Sequence, residues 1–211
     1  MTQDEVYLIG ASGHGKVIAG AIRELGLHVA GFIEDAKPAG TAFFGSQVLC
    51  TLLEIASIER RPMVIAIGDN RTRQRVAAEF AERLGESRWL NVVHPRASVG
   101  RSCVLGEGTF VAMGASVTED VKIGRHCIVN TNACVDHDCM LGDFSHVACG
   151  ATLAGNVVIG EGTLVGAGAT VLPGLKVGKW AIIGGGATVT RDVPDGAKVV
   201  GVPARPMGNL Q

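Results

Sequence analysis

Aromatic residues are nearly missing: two Trp, one Tyr and six Phe stand beside 30 Gly in 211 residues, a balance that elsewhere marks a disordered chain. A net charge of −1 gives no reason to invoke nucleic acid or an anionic membrane as partner. No apolar run approaches the roughly 18 residues of a membrane span, and Met1 to Asp4 lacks signal-peptide character, so the sequence predicts a cytoplasmic protein. The six cysteines include no C-x-x-C pair. They are expected to be reduced core residues, not disulfide partners or zinc ligands.

What the chain has instead is a repeat. Every sixth residue from Val93 to Val189 is Val, Leu or Ile, seventeen times in succession. Four residues after most anchors sits a small side chain, among them Ala97, Cys103, Thr109, Ala115, Cys127, Ala133, Cys139, Ser145 and Ala151. Neither a helical nor a simple strand period produces this pattern, whereas short strands meeting at tight corners around a narrow interior do. The glycines are phased too, commonly one residue after the anchor (Gly100, Gly106, Gly124, Gly142, Gly160), which predicts corners with left-handed backbone or close approach. The expected fold is a left-handed parallel β-helix of hexapeptide repeats over residues 91–211, behind a small Rossmann-like α/β domain over 1–90, with the joint at 86–92.

In the N-terminal domain, Val6–Ile9, Val29–Ile33 and Met63–Ile67 read as strands, and Lys16–Leu25 and Asn70–Leu84 as helices: a βαβ unit with a parallel sheet. The first loop, Gly10-Ala-Ser-Gly-His-Gly15, can bring backbone N–H groups to a phosphate at a helix start. Asp35 follows where an acidic residue meets a ribose in dinucleotide folds. The spacing is G-x-x-G-x-G, not the dinucleotide fingerprint, so a plain structural turn, a nucleotide or nucleotide-sugar site and an NAD site all remain open.

Three hexapeptides per coil would stack residues 18 apart and set residues 9 apart on opposite sides. Glu119, His137 and Gly155 then lie in register, while His137 and His146 point away from each other and can share a site only across a subunit interface. No two of the coil histidines are separated by a multiple of 18, which argues against a zinc site. His137 lies at a corner between Asp136 and Asp138. A carboxylate on one ring nitrogen would fix its tautomer and raise basicity at the other, although a merely solvated histidine fits the spacing equally well.

Gly10-Ala-Ser-Gly-His-Gly-Lys16, Val135-Asp-His-Asp-Cys139, Gly142-Asp-Phe-Ser-His-Val147, Gly150-Ala-Thr-Leu-Ala-Gly-Asn-Val157 and Gly201-Val-Pro-Ala-Arg205 together resemble the sialic acid O-acetyltransferase family of hexapeptide acyltransferases. That family includes N-acetyltransferases acting on UDP-linked 4-amino-sugars and GDP-perosamine. The resemblance covers essentially the whole chain and implies acetyl-CoA as co-substrate, a homotrimer with active sites between subunits, and no metal. It makes His137 the general base and Asp138 its carboxylate, where the family often has Glu. Ser12, Gly13 and His14 match the loop holding the nucleotide-sugar phosphates, Glu34 and Asp35 the acidic positions near base and ribose, and Gly68 the glycine closing the pocket. His146, Ala167 and Gly185 match positions lining the acetyl-CoA groove.

The chemistry implied is direct transfer from acetyl-CoA to the 4-amino group of a nucleotide-linked sugar. A thioester is already activated, so one positioned base suffices. Cys139 falls at an interior filler position, out of a substrate's reach, which disfavours a ping-pong route. The N–H of Gly155, one coil above His137, is the expected oxyanion donor. A sugar O-acetyltransferase using the same coils, and a non-catalytic solenoid scaffold, are the alternatives.

Overall fold

The computed structural model describes residues 4–85 and 89–207. From Val92 onward the chain winds into a three-faced left-handed β-helix whose two-residue strands pair in parallel. Face one runs from Val92–Val93 through Ile182–Ile183 to Lys198–Val200, which Arg205–Pro206 edges antiparallel, face two from Ser98–Val99 to Thr188–Val189, and face three from Val104–Leu105 to Lys176–Val177. Residues 18 apart lie side by side, as Ser116 beside Cys134 and Cys134 beside Thr152. The anchors Val111, Val117, Ile123, Val129 and Val135 fill the interior with the small fillers Ala115, Cys127, Ala133 and Cys139. Each such buried aliphatic side chain contributes about 1.5–3 kcal/mol, repeated coil after coil. All six cysteines are free.

The glycines one residue after the anchors serve close approach and not backbone handedness. A Cβ on Gly106 would lie 2.5 Å from the carbonyl carbon of Gly124 in the next coil. The left-handed residues fall three after each anchor from Leu105 to Ile183: half are glycines such as Gly108, Gly150 and Gly168, four are Asp120, Asn132, Asp138 and Asn156, whose short polar side chains tolerate that region, and the rest are His126, Phe144 and Trp180.

The N-terminal region begins with β1 (Glu5–Ile9), α1 (Gly13–Glu24) and β2 (His28–Ile33). It continues through β3 (Ala42–Phe43), β4 (Ser46–Cys50), a 3₁₀ turn (Leu52–Ser57), β5 (Met63–Ile65) and α2 (Asn70–Leu84). The sheet order is β3-β4-β2-β1-β5, parallel except for the β3–β4 hairpin. Helix α1 starts three residues earlier than the apolar spacing predicts, because its first turn is built from the glycine loop itself. A Cβ on Gly15 would stand 2.6 Å from the Gly10 carbonyl oxygen, so only glycine lets the helix press on that loop. Strand β5 ends two residues before Ile67, and the β3–β4 hairpin, with strands of two and five residues, is too short to show an alternating period.

Of the expected joint at 86–92, residues 86–88 lie outside the described residues. Trp89 bridges to Met63 at the sheet edge, and Val92 already pairs with Phe110 in the first coil. Val92, Phe110 and Ile128 point outward from face one and are buried in one apolar cluster with Ile18, Ala19 and Ile22 of α1. The α/β region therefore sits on the lower coils of face one, with the C-terminal ends of β1, β2 and β5 beside the coil carrying His146. Among the described residues no helix is long and apolar enough to cross a membrane.

Candidate active site

Asp138 adopts φ of 58° at the corner after face two, which turns the chain so that His137 projects outward with its side chain 56% exposed. His137 Nδ1 lies 2.8 Å from Asp138 Oδ2, and its backbone N–H donates to Asp136 Oδ1 at 2.8 Å. With Nδ1–H donated to the carboxylate, Nε2 carries the lone pair. The hydrogen bond to Asp138, and then the charge of Asp136, raise the imidazole pKa above its ordinary value. Gly155 is stacked one coil above: a Cβ there would lie 2.6 Å from Cε1 and 2.7 Å from Nε2 of His137. The missing side chain is thus the space the ring occupies. The N–H groups of Ala154 and Asn156 bond Val171 and His137 carbonyls in the coil ladder, and the Gly155 N–H between them is not used by it. Cys139 is buried with its thiol donating to the Ala154 carbonyl at 3.2 Å, and burial pushes its pKa up.

A second locus lies at the strand ends of the α/β sheet. Gly10, Ser12, Ile33, Glu34, Asp35 and Ile67 line a cavity of about 220 Å³ there. Glu34 is committed to the loop: Oε2 accepts from the Ala11 N–H at 2.8 Å and Oε1 from the Ala36 N–H at 3.0 Å. Partial burial works against ionisation, yet these bonds and Lys37 hold its carboxyl below the usual range. Lys37 Nζ donates to the Ala11 carbonyl at 2.7 Å, so the glycine loop is clamped from both sides. Asp35 Oδ1 accepts from the Leu52 N–H at 2.8 Å. Ser12 and Gly13 are exposed at the start of α1.

His14, one residue further, turns inward, edge-on to Phe110 and with its ring centroid 6.4 Å from that of His146. Its Nε2 is buried without a hydrogen-bond partner among the described residues. Burial first, and the positive charge of Arg73 second, lower its pKa to about 4. His146 is held similarly. Asn130 Oδ1 accepts from the Thr131 N–H at 2.8 Å, which orients the amide so that Nδ2 meets His146 Nε2 at 3.1 Å. The ring also bonds the Gly68 backbone, and burial, then Arg73 and His14, push the pKa down to about 3. His146 thus stays neutral. It floors a groove of about 480 Å³ bordered by Gly68, Arg71, Leu164, Trp180 and Lys198, in which Arg71 lies 4.6 Å over the Trp180 ring.

Ala167 and Gly185 are exposed and stacked at the corner after face one, where the Gly186 N–H bonds the Ala167 carbonyl at 2.9 Å. Within one chain the residues therefore form four groups: His137, Asp138 and Gly155 at one corner, Ala167 and Gly185 at another, Ser12, Gly13, Glu34 and Asp35 at the strand ends, and His14, Gly68 and His146 at the junction. Sequence patterns missed Arg73 and Asn130. Arg73 is one of several arginines on an amphipathic helix, and only packing shows that it alone turns inward. Among the described residues no three His, Cys, Asp or Glu side chains gather as a metal-ligand set.

A parallel β-helix of hexapeptides carrying an outward His–Asp corner, docked on an α/β region with a glycine loop, defines the class of hexapeptide-repeat acyltransferases. Residues 5–80 match the PglD N-terminal domain and residues 156–191 the bacterial transferase hexapeptide (six repeats). The structure of PerB from Caulobacter crescentus in complex with CoA and GDP-perosamine is similar, with 36% identity, TM-score 0.89 and 97% of both chains covered. So is the acetyltransferase domain of PglB from Neisseria gonorrhoeae in complex with acetyl coenzyme A, with 36% identity, TM-score 0.89, and 97% of this chain and 99% of that one covered. A UDP-N-acetylbacillosamine N-acetyltransferase of Bacillus subtilis is 36% identical over 113 residues, half of this chain and half of that protein. An uncharacterized protein of Acanthamoeba polyphaga mimivirus is 31% identical over 124 residues, 59% of this chain. The matched segments span about half and about a quarter of these two curated relatives. The chain belongs to the PglD-type family of hexapeptide-repeat sugar N-acetyltransferases.

Proposed function

We propose that this protein transfers an acetyl group from acetyl-CoA to the 4-amino group of a UDP- or GDP-linked amino-sugar, in the cytoplasm and for glycan synthesis, with His137 as general base. The observation that carries this proposal is the imidazole with Asp138 on Nδ1 and Nε2 turned to the bare backbone of Gly155. Acetyl-CoA supplies an activated acyl carbon. His137 Nε2 takes the proton the amine loses as the C–N bond forms, Asp138 stabilises the resulting imidazolium, and the Gly155 N–H faces the developing oxyanion. The C–S bond then breaks, and the proton passes from His137 to the departing thiolate.

The α/β region over 1–90 is assigned to the nucleotide end of the sugar, with Ser12, Gly13, Asp35 and Gly68 as contacts, and the coils over 91–211 to transfer. Glu34 acts there by clamping the glycine loop, and His14 and His146 as neutral hydrogen-bonding groups at the junction. Small residues at the Ala167–Gly185 corner leave a flat track suited to a pantetheine chain. Because His137 and the junction lie on different faces, the site closes only when the corner of one subunit meets the groove of its neighbour. The outward row of face two, Ser98, Ser116, Cys134, Thr152, Thr170 and Thr188, is small enough for three copies to pack about an axis.

Turnover of a panel of UDP- and GDP-linked 4-amino-sugars, beside sialic acid and polysaccharide acceptors, tests the assignment. Transfer to a nucleotide-linked amine is expected. Transfer to hydroxyl acceptors only would replace the proposal with a sugar O-acetyltransferase.

A further inference from the structure

Arg73 is 1% exposed, and no carboxylate is among its hydrogen-bond partners. Its five N–H donors are all used, and all on neutral acceptors. Nε donates to the His126 carbonyl at 2.8 Å, and one terminal nitrogen to the carbonyls of Ile67 at 3.0 Å and Gly68 at 3.1 Å. The other donates to Asn70 Oδ1 at 2.9 Å and the Phe144 carbonyl at 2.8 Å, with the Ser145 carbonyl at 3.5 Å. His126 and Phe144 are corner residues of successive coils, 18 apart, whereas Ile67 and Gly68 belong to the loop after β5. One planar group therefore ties that loop to two coils.

A buried cation is costly, and an apolar side chain of similar volume would fasten two surfaces as well or better. What a guanidinium adds is direction: a rigid fork with fixed donor vectors. The loop it holds has two functional neighbours. Ile67 lines the cavity at the strand ends, and Gly68 borders the groove over His146 and bonds its ring.

We propose that Arg73 is a positioning residue for substrate binding, setting the height of the Ile67–Gly68 loop over the coils so that the nucleotide pocket and the His146 groove keep one alignment. This rests on the functional assignment above. The titratable groups facing the same region are His14 from α1, Asp69 at the start of α2, and His126, Cys127 and His146 from the coils. Neither His137 nor Asp138 is among the partners of Arg73, so its loss should leave the chemical step intact.

The test is Arg73→Lys, which keeps the charge but gathers three donors on one nitrogen and cannot span loop and corners together. Wild-type turnover of a UDP- or GDP-linked 4-amino-sugar, measured first, checks the functional assignment by itself. For the variant, KM for that sugar should rise about tenfold or more while kcat stays within about threefold, because ground-state contacts are lost and the chemistry is not. Gln74→Ala, which removes the 2.8 Å hydrogen bond from Gln74 to Glu161 between the same two regions without touching the loop, should leave both constants unchanged. If the lysine variant does not fold, Arg73→Gln, with a planar amide and no buried charge, is read the same way. A fall in kcat with unchanged KM, wild-type constants throughout, or failure of both variants to fold even with saturating sugar would make Arg73 a structural fastener and overturn the proposal.

Discussion

His137 stands on an exposed corner with a carboxylate on its Nδ1, whereas His146, nine residues on, is half-buried on face one between Asn130 and the Gly68 backbone. The first is driven toward protonation by Asp138 and Asp136, the second away from it by burial and the charge of Arg73. The same side chain is thus biased toward its charged form in one place and toward its neutral form in the other. What separates them is half a coil: nine residues carry the chain from a corner open to solvent to a face roofed by the α/β region. The coil sets which way each histidine faces, and the docked region sets what it meets.

The comparison breaks most sharply at His137. His137→Ala should lower kcat by about 10²-fold or more with acetyl-CoA binding largely kept, measured by steady-state kinetics and calorimetry. Wild-type turnover by that variant would leave the exposed histidine no catalytic part.

The buried side is probed by acid. His14, His126 and His146 are depressed to about 4, 4 and 3 in the folded protein, against 6.5 unfolded. Between those limits the unfolded chain binds more protons, so their stabilisation is complete above pH 6.5 and is lost as pH falls toward 4. Each can cost up to about 1.4 kcal/mol per pH unit, roughly tenfold in the folding equilibrium. Denaturant titrations at pH 7 and pH 5 should show a clear drop in midpoint, and equal midpoints would mean these rings are not held neutral.

Gly155→Ala tests the packing on which the exposed histidine depends. The added Cβ cannot coexist with the ring, so kcat should fall about tenfold while the thermal midpoint barely moves, since the exposed His137 side chain can swing into solvent to make room. An unchanged kcat would show that His137 need not lie over Gly155. Smallest is Asp138→Asn: removing the carboxylate lowers the imidazole pKa, so the acidic limb of the kcat–pH profile should move to lower pH with a reduced plateau. A limb that stays in place would detach Asp138 from the base.

The six-residue spacing of Val, Leu and Ile, with small fillers four places on, determined the β-helix, its 18-residue coil and the stacking of Gly155 over His137, because a repeat on a solenoid converts sequence distance directly into position. The Asp-His-Asp run likewise announced a carboxylate on the His137 ring, the partners being adjacent in the chain. The β3–β4 hairpin, the start of α1 in the glycine loop and the use of Glu34 as a clamp on Ala11 had no such periodic signal. Nor did the inward turn of His14, or Arg73 reaching the carbonyls of His126 and Phe144, 53 and 71 residues away. Those depended on how the α/β region docks on face one. Docking brings together groups with no regular spacing in sequence, and the burial it creates is what turns a histidine into a neutral hydrogen-bonding group and an arginine into a pin.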